Sequence, residues 1–331
     1  MNLLSYFGCL ARNIWYNNYM DKRNSEEVYE MEPLNIDREN FPMSHAKAEG
    51  MIPINPKNDN YEIYYREDVE YIKRGERSLY LQIIGPSDAG DNLPCIVFVP
   101  GSAFHEQNVK GRVPQLSYLA MRGFVVAALE YRGSECAIFP AQVLDTKAGV
   151  HFMREHASEY GINPENIFLM GDSSGGHTAV LASFSYDVSI LEEDGRRSKK
   201  PIVRGVIDHY GPTNFLTMNE EPSSEDHRTP DSPEGLEIGG KPILENVDLV
   251  NPTIIANYVD KGKDIPPILM FHGANDELVP FGQSCELYNA LKEAKKDATF
   301  YQVIGAHHGG REFWTKEILN IEETFIRRLC I

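Results

Sequence analysis

Short, strongly apolar runs alternate with helix-length segments along this chain, and no other feature limits its fold as much. The runs lie at residues 95–99, 124–129, 167–170, 202–207 and 268–271. Runs this short are typical of strands that are buried on both faces. Strands that alternate with helices form right-handed βαβ units. The alternation therefore predicts an α/β fold, with a mostly parallel central sheet flanked by helices.

The segments around these runs complete the expected topology. A hairpin is predicted at residues 69–84, with its turn at Arg74-Gly75, and a last strand at residues 299–303. Apolar residues at helical spacing predict helices at residues 113–122, 141–159, 283–294 and 311–329, and another that begins at Ser174. Because the carboxyl ends of parallel strands share one edge of the sheet, functional residues are expected just after the strands.

Two segments fall outside the alternating pattern. Residues 1–60 are polar and contain spaced prolines, which predicts an N-terminal extension packed on a domain of residues 61–331. Residues 212–265 are rich in Glu, Ser, Pro and Asp, and an insertion at this point predicts a lid or cap over the edge of the sheet where functional residues are expected. The side chains predicted to line a pocket at that edge are Phe104, Phe215 and Met218.

Composition excludes several classes of protein. Hydrophobic residues make up 42% of the chain and charged residues 24%, which is ordinary for a globular protein and excludes a disordered chain or a coiled coil. With 32 basic and 49 acidic residues the net charge is −17, so neither nucleic acid nor an anionic membrane is expected as a partner. The sequence carries no signal for an oligomeric state.

The cysteines, the histidines and the start of the chain bear on compartment and metal binding. The five cysteines show no CxxC spacing, which argues against disulfides and zinc and indicates a reducing compartment. The ten histidines show no H-x-x-x-H spacing, so no metal is expected. The chain begins without the basic segment of an export signal, and no stretch approaches the roughly 18 apolar residues of a membrane span. We therefore expect a cytoplasmic protein.

The segment GDSSGGH, residues 171–177, directly follows one apolar run and precedes an apolar helix. This is the G-x-S-x-G pattern in the strand, turn and helix context that presents a nucleophilic serine. Gly171 and Gly175 leave no Cβ where the chain crowds, and Ser173 is the expected nucleophile. Ser174 is the rival, but we expect its backbone N–H to take part instead, at a helix N-terminus that favours negative charge.

A serine hydroxyl needs a base to remove its proton, and the base needs an orienting carboxylate. Asp276 lies in HGANDELVP, just after the fifth apolar run, and is predicted to be the acid, with the adjacent Glu277 as the alternative. Two neighbouring histidines lie in GAHHGG, just after the last predicted strand. They project in different directions, so one of them meets the serine. His308 is favoured over His307 because two glycines follow it directly.

Attack on an ester carbonyl creates an oxyanion that needs preorganised N–H donors, each worth about 3 kcal/mol of barrier. The small residues of Pro100-Gly101-Ser102-Ala103, after the first apolar run, let the backbone approach a substrate closely. The N–H groups of Ser102 and Ala103, together with that of Ser174, are therefore the predicted oxyanion hole.

Taken in chain order, GDSSGGH, HGANDELVP and GAHHGG resemble the α/β-hydrolase superfamily. Within it they are most similar to bacterial carboxylesterases of the hormone-sensitive-lipase-like and feruloyl/acetyl-xylan-esterase-like group. Tyr131-Arg132, and Phe139-Pro140-Ala141-Gln142 with Asp145, resemble that group as well. The likeness covers about residues 78–331.

The resemblance implies hydrolysis of carboxylic esters without a metal or organic cofactor, through an acyl-enzyme on Ser173, with Asp276 as acid and His308 as base. It also implies a small-molecule ester with a short acyl group or a carbohydrate-linked ester as substrate. Relatives often carry His-Gly-Gly-Gly where this chain has Pro100-Gly101-Ser102-Ala103, which leaves the shape of the acyl pocket open. The alternatives are a peptidase or arylformamidase of the same fold, and a noncatalytic small-molecule binder.

Overall fold

The computed structural model describes residues 33–57, 60–193 and 198–331. The chain divides into two compact units, residues 1–56 and 57–331. The first unit, taken by itself, holds a 3-10 turn at Arg38–Asn40, and the side chain of Asp37 caps this turn by accepting the N–H of Asn40 at 3.0 Å. Most of the predicted N-terminal extension, residues 1–32, lies outside the described residues, and its packing on the domain stays a prediction.

In the described residues, eight strands form one sheet in the order β1-β2-β4-β3-β5-β6-β7-β8. The strands are β1 (Ile63–Arg74), β2 (Arg77–Pro86), β3 (Leu93–Val99), β4 (Val125–Leu129), β5 (Ile162–Asp172), β6 (Gly205–His209), β7 (Ile268–Gly273) and β8 (Ala298–Val303). β2 pairs antiparallel with β1 and with β4, and every other neighbouring pair is parallel. The predicted mostly parallel sheet is therefore confirmed, with the predicted hairpin at one end.

The α-helices of the described residues are α1 (Val113–Ala120), α2 (Ala141–Glu155), α3 (Ser174–Phe184), α4 (Pro233–Glu237), α5 (Val247–Val250), α6 (Gly282–Glu293) and α7 (Lys316–Leu329). The single helix predicted at residues 311–329 is two elements, a 3-10 helix at Arg311–Trp314 and α7. The break falls at Thr315, whose backbone is extended and whose side chain caps α7 by accepting the N–H of Ile318. A threonine that can cap a helix competes with helix continuation.

The sheet separates two hydrophobic cores, and alternate residues of each central strand enter different ones. In β3, Cys95, Val97 and Val99 join the core beneath α2, α3 and α6. Ile96 and Phe98 join the core beneath α1 and α7. This burial on both faces explains why the run is apolar without interruption. No helix among the described residues is both long and apolar enough to cross a bilayer.

The insertion between β6 and β7 contributes to a third, smaller core. Its buried members are Phe104, Phe215, Ile238, Ile243, Val250 and Ile254. Phe104 comes from the loop after β3, so this core joins the insertion to the rest of the domain. The N–H of Thr213 also donates to the side chain of Gln283 in α6, at 2.8 Å. The insertion is therefore packed onto the domain, and its action as a lid stays a prediction.

Candidate active site

Three side chains from distant parts of the sequence meet at the carboxyl edge of the sheet. Ser173 follows β5, Asp276 follows β7 and His308 follows β8. The Nε2 atom of His308 lies 2.8 Å from the Oγ of Ser173. Its Nδ1 atom lies 3.0 and 2.9 Å from the two carboxylate oxygens of Asp276. Because Nδ1 faces a carboxylate, it carries the hydrogen, and Nε2 is free to accept the hydroxyl proton of Ser173.

Ser173 forms the sharp turn between β5 and α3, with φ +54 and ψ −130, a conformation that residues with a side chain rarely adopt. Its N–H donates to the carbonyl of His209 at 2.8 Å, which holds the turn against β6. A Cβ on Gly171 would lie 2.2 Å from the carbonyl oxygen of Gly175, and one on Gly175 would lie 2.0 Å from that of Val99. Both glycines are therefore required by the close approach of the backbone.

The Asp276 side chain has no solvent exposure and is held by several donors. Its Oδ1 accepts the N–H groups of Leu278 at 3.0 Å and Val279 at 2.9 Å. Its Oδ2 lies 3.2 Å from the Nε2 of His272. Burial by itself would raise the pKa of Asp276, but the hydrogen bonds from His272 and His308 outweigh it and hold the pKa well below its ordinary value. The carboxylate is therefore ionised at neutral pH.

The neighbouring alternatives, Glu277 and His307, contact each other instead of the serine. The carboxylate of Glu277 lies 3.1 Å from the Nδ1 of His307, and both side chains are more than half exposed. Glu277 approaches His308 only at its backbone N–H, at 3.4 Å. Within the part of the chain that the structure describes, no group of three or more His, Cys, Asp or Glu side chains could hold a metal ion.

The loop after β3 lies against the serine turn. The N–H of Ser102 donates to the Oγ of Ser174 at 3.0 Å. The N–H of Ser102 therefore has an acceptor within the protein, and its role as an oxyanion donor stays a prediction. Ala103 adopts φ +53. Among the described residues, neither the N–H of Ala103 nor that of Ser174 has an acceptor within the protein, and both remain available.

Asp172 was missed by reasoning from the sequence, although it directly precedes Ser173. Its side chain is 2% exposed, and its Oδ1 accepts the N–H of Gly101 at 2.7 Å. Its Oδ2 lies 3.0 Å from the guanidinium of Arg112 and 3.3 Å from the hydroxyl of Tyr210. This carboxylate therefore ties the loop after β3 to the serine turn. The available signal was an acidic residue at the end of a buried strand, because such a charge requires partners.

A cavity of about 660 Å³ lies beside Ser173 and His308. Its walls include Arg112, Gln115 and Tyr118 on the α1 side and Arg311 and Trp314 on the other side. The Oε1 atom of Gln115 is buried and has no hydrogen-bond partner among the described residues. Aromatic rings next to amide and guanidinium groups suit a polar ligand that carries hydroxyl groups.

Phe104, Phe215 and Met218 do not line this cavity, which corrects the prediction of the substrate pocket. All three are buried, with 1% exposure or less. The rings of Phe104 and Phe215 lie 5.6 Å apart, and both pack on the imidazole of His177 in α3. None of the cavity's lining residues comes from the insertion, which the structure describes throughout. Phe104, Phe215 and the other buried members of the third core pack on one another, which removes more of their surface from water than lining an open cavity would.

Comparison with known proteins identifies a matching family and several proteins of similar sequence. The sequence model of the BD-FAE family matches residues 81–291, more than half of the chain. The chain is 27% identical over 228 residues to a probable carboxylic ester hydrolase, LipM, of Mycobacterium tuberculosis, covering 65% of this chain and 48% of LipM. It is 27% identical over 259 residues to the isoprenylcysteine alpha-carbonyl methylesterase ICME of Arabidopsis thaliana, covering 71% of this chain and 54% of ICME. The chain thus spans about half the length of these curated relatives.

Solved structures share the fold. A truncated form of carbohydrate esterase from gut microbiota is similar with a TM-score of 0.71 and 28% identity, over 83% of this chain and 98% of that one. Native esterase 2 of Thermogutta terrifontis is similar in fold, with a TM-score of 0.62 and 24% identity over 82% of this chain and 94% of that one. The parallel sheet, the serine turn and the family match agree, and the chain belongs to the BD-FAE family of proteins with an α/β-hydrolase fold.

Proposed function

We propose that this protein is a carboxylesterase that cleaves its substrate through an acyl-enzyme on Ser173. The observation that carries the proposal is the unbroken line of hydrogen bonds from the Ser173 hydroxyl through His308 to Asp276, with separations of 2.8 and 2.9 Å. The ester hydrolases and esterases among its relatives support the same chemistry.

In the acylation step, the Oγ of Ser173 attacks the carbonyl carbon while its proton passes to the Nε2 of His308. The negative charge of Asp276 stabilises the imidazolium and keeps the ring oriented. The tetrahedral intermediate collapses by breaking the bond to the alcohol oxygen, and His308 returns the proton to that oxygen. A water molecule activated by His308 then attacks the acyl-enzyme and releases the acid.

The oxyanion is stabilised in this mechanism by the N–H groups of Ala103 and Ser174. Ser174 is the first residue of α3, where the partial positive charge of the helix lies. Ala103 lies in the loop that Asp172 holds through the N–H of Gly101, at 2.7 Å. Donors held in place before the reaction contribute about 3 kcal/mol each to lowering the barrier.

The proposed substrate is an ester of a short acyl group with a polar alcohol of about the size of a sugar. The cavity of about 660 Å³ beside Ser173 has room for such an alcohol, and Arg112, Gln115 and Arg311 line it with polar side chains. Phe104 and Phe215 fill the space around His177, one helical turn from the serine, which supports a short acyl group. The carbohydrate esterase among the solved neighbours supports a carbohydrate ester.

The test is hydrolysis of 4-nitrophenyl acetate, butyrate and decanoate by the wild type and by Ser173→Ala. We expect wild-type turnover of the two short esters, weaker turnover of decanoate, and a fall in kcat of at least about 10³-fold in the variant. Ser189→Ala removes an exposed serine hydroxyl and is the matched control, with wild-type activity expected.

Other outcomes would contradict the proposal in distinct ways. Activity that survives in Ser173→Ala would move the nucleophile elsewhere. Equal rates on acetate and decanoate would refute the short acyl group. The folded wild type is also incubated with a fluorophosphonate probe and weighed by mass spectrometry. If it hydrolyses none of the three esters and carries no added probe, the result would refute an esterase and favour a noncatalytic binder.

A further inference from the structure

A second histidine, His272 of β7, contacts the carboxylate of Asp276. Its Nε2 lies 3.2 Å from the Oδ2 of Asp276. Its Nδ1 lies 2.7 Å from the hydroxyl oxygen of Ser284, in the first turn of α6. Both His272 and Ser284 are completely buried. The mechanism proposed above uses neither of them, although His272 places a polar group next to Asp276, which the mechanism does use.

The contacts of His272 fix where its hydrogen lies. Nε2 faces two acceptors, the carboxylate of Asp276 and the carbonyl oxygen of Val279 at 2.9 Å, so Nε2 carries the hydrogen. Nδ1 faces the hydroxyl of Ser284, which can donate to it. His272 therefore carries its hydrogen on Nε2, which donates to the carbonyl of Val279 and also faces the Oδ2 of Asp276 at 3.2 Å.

We propose that His272 and Ser284 are positioning residues for the esterase reaction, which they reach through Asp276. The hydrogen-bonded chain then has five members in the order Ser284, His272, Asp276, His308 and Ser173. Ser284 holds His272 in one tautomer, and His272 holds the carboxylate that orients the base. The inference rests on the proposed function, because it takes Asp276 as the acid of that mechanism.

The N–H of His272 that faces Asp276 also limits how strongly Asp276 stabilises the protonated form of His308. A carboxylate that accepts a hydrogen bond has part of its charge already stabilised, so it stabilises a neighbouring imidazolium less. Without the His272 donor, Asp276 would hold the protonated form of His308 more firmly. The base would then be blocked by its own proton up to a higher pH, and the acid limb of the kcat/KM profile would move upward.

Other charged groups lie around this row of five side chains without a hydrogen bond to its buried members, Ser284 and His272. The titratable and charged groups that face it are Asp208 from β6, Asp172 and its partner Arg112 beside Tyr210, and the exposed pair of Glu277 and His307. None of them has a hydrogen bond to His272 or Ser284 in the described structure. Asp208 is electrostatically coupled to His272, so a displaced acid limb in variants of those two residues reports on Asp276 and His308 where the displacement persists in an Asp208→Asn background.

The experiment measures kcat/KM for 4-nitrophenyl acetate between about pH 5 and 9 in the wild type, His272→Leu, Ser284→Ala and His307→Ala. In His272→Leu, which has no donor, we expect a loss of about 10- to 100-fold at the plateau and an acid limb moved upward by about half a pH unit. Ser284→Ala should act in the same direction with a smaller loss, about three- to tenfold. His307→Ala removes an exposed imidazole and should leave both quantities unchanged.

A folded His272→Leu or Ser284→Ala whose acid limb stays in place, or moves to lower pH, would overturn the inference. A measurement on the wild type needs no variant to fold: ¹⁵N-histidine NMR should show His272 in the Nε2–H form, and an Nδ1–H form would equally overturn it. Failure of the esterase proposal looks different, because the wild type itself would then lack turnover that depends on Ser173.

Discussion

Two histidine–carboxylate pairs follow neighbouring strands of the sheet, and they have opposite surroundings. In the first pair, the Nδ1 of His308, which follows β8, lies 2.9 Å from the carboxylate of Asp276, which follows β7. In the second pair, the Nε2 of His209, at the end of β6, lies 2.8 Å from the carboxylate of Glu322 in α7. The His308 side chain is 13% exposed and lines an open cavity. His209 and Glu322 are completely buried.

The second nitrogen of each ring accounts for the difference. The Nε2 of His308 meets the hydroxyl of Ser173. The Nδ1 of His209 is buried and has no hydrogen-bond partner among the described residues, and aromatic rings pack around it. The ring of His209 reaches neither the cavity nor the protein surface. A short histidine–carboxylate distance therefore indicates chemistry only where a third partner and access to solvent accompany it.

The largest expected effect comes from breaking the accessible pair. Asp276→Asn keeps the size of the side chain but removes the charge that stabilises the imidazolium of His308. We expect kcat for 4-nitrophenyl acetate to fall by about 10³- to 10⁴-fold. Circular dichroism should show a folded protein. A loss below about tenfold in folded protein would show that Asp276 is not the acid of the mechanism.

Breaking the buried pair should change stability and leave activity alone. Glu322→Ala removes the partner of the Nε2 of His209 and leaves a cavity in the core beneath α7. We expect the free energy of unfolding to fall by about 3 kcal/mol. The kcat per folded molecule should stay within about twofold of the wild type, since His209 touches no reacting atom in the mechanism. Denaturant unfolding and the ester assay measure the two quantities, and a selective loss of kcat would remove the distinction between the pairs.

A third carboxylate, Asp208 of β6, directly precedes His209 and has no histidine at hydrogen-bond distance in the described structure. Its Oδ1 accepts the N–H of Gly211 at 3.1 Å, and its Oδ2 is buried without a partner among the described residues. Burial raises the pKa of Asp208 to about 6. The charged form therefore destabilises the folded state, fully so above the folded-state pKa and not at all below the ordinary pKa of aspartate.

Asp208→Asn should give the smallest effect, and of opposite sign. The amide oxygen still accepts the N–H of Gly211, but the buried charge is gone. We expect the free energy of unfolding to rise by about 1–2 kcal/mol near pH 7.5 and to change little near pH 4, where the wild-type carboxyl is neutral in the folded state. Urea unfolding at the two pH values measures this. A stability loss at the higher pH would mean that the Asp208 charge has a stabilising partner.

The partners of buried polar groups were not readable from the sequence. Asp172 directly precedes Ser173, and His272, expected to brace the acid loop, lies four residues before Asp276, yet their partners Gly101, Arg112 and Ser284 come from other elements. The same limit explains the wrong pocket residues. Phe104 and Phe215 are apolar and lie near the site, but whether such a side chain lines a cavity or closes a core depends on what packs opposite it.

The sequence by itself determined the layers of the fold and the three side chains that meet at its edge. Strands buried on both faces must be apolar without interruption, and parallel strands must end on the same side, so Ser173, Asp276 and His308 were brought together by local pattern and topology alone. The tertiary structure decided the rest. In the folded chain, the N–H of Ser102 bonds to the hydroxyl of Ser174, and His209 is buried against Glu322. The cavity is lined by residues beside α1 and by none from the insertion. Each of these outcomes depends on the relative position of segments far apart in the chain, and local sequence carries no record of that position.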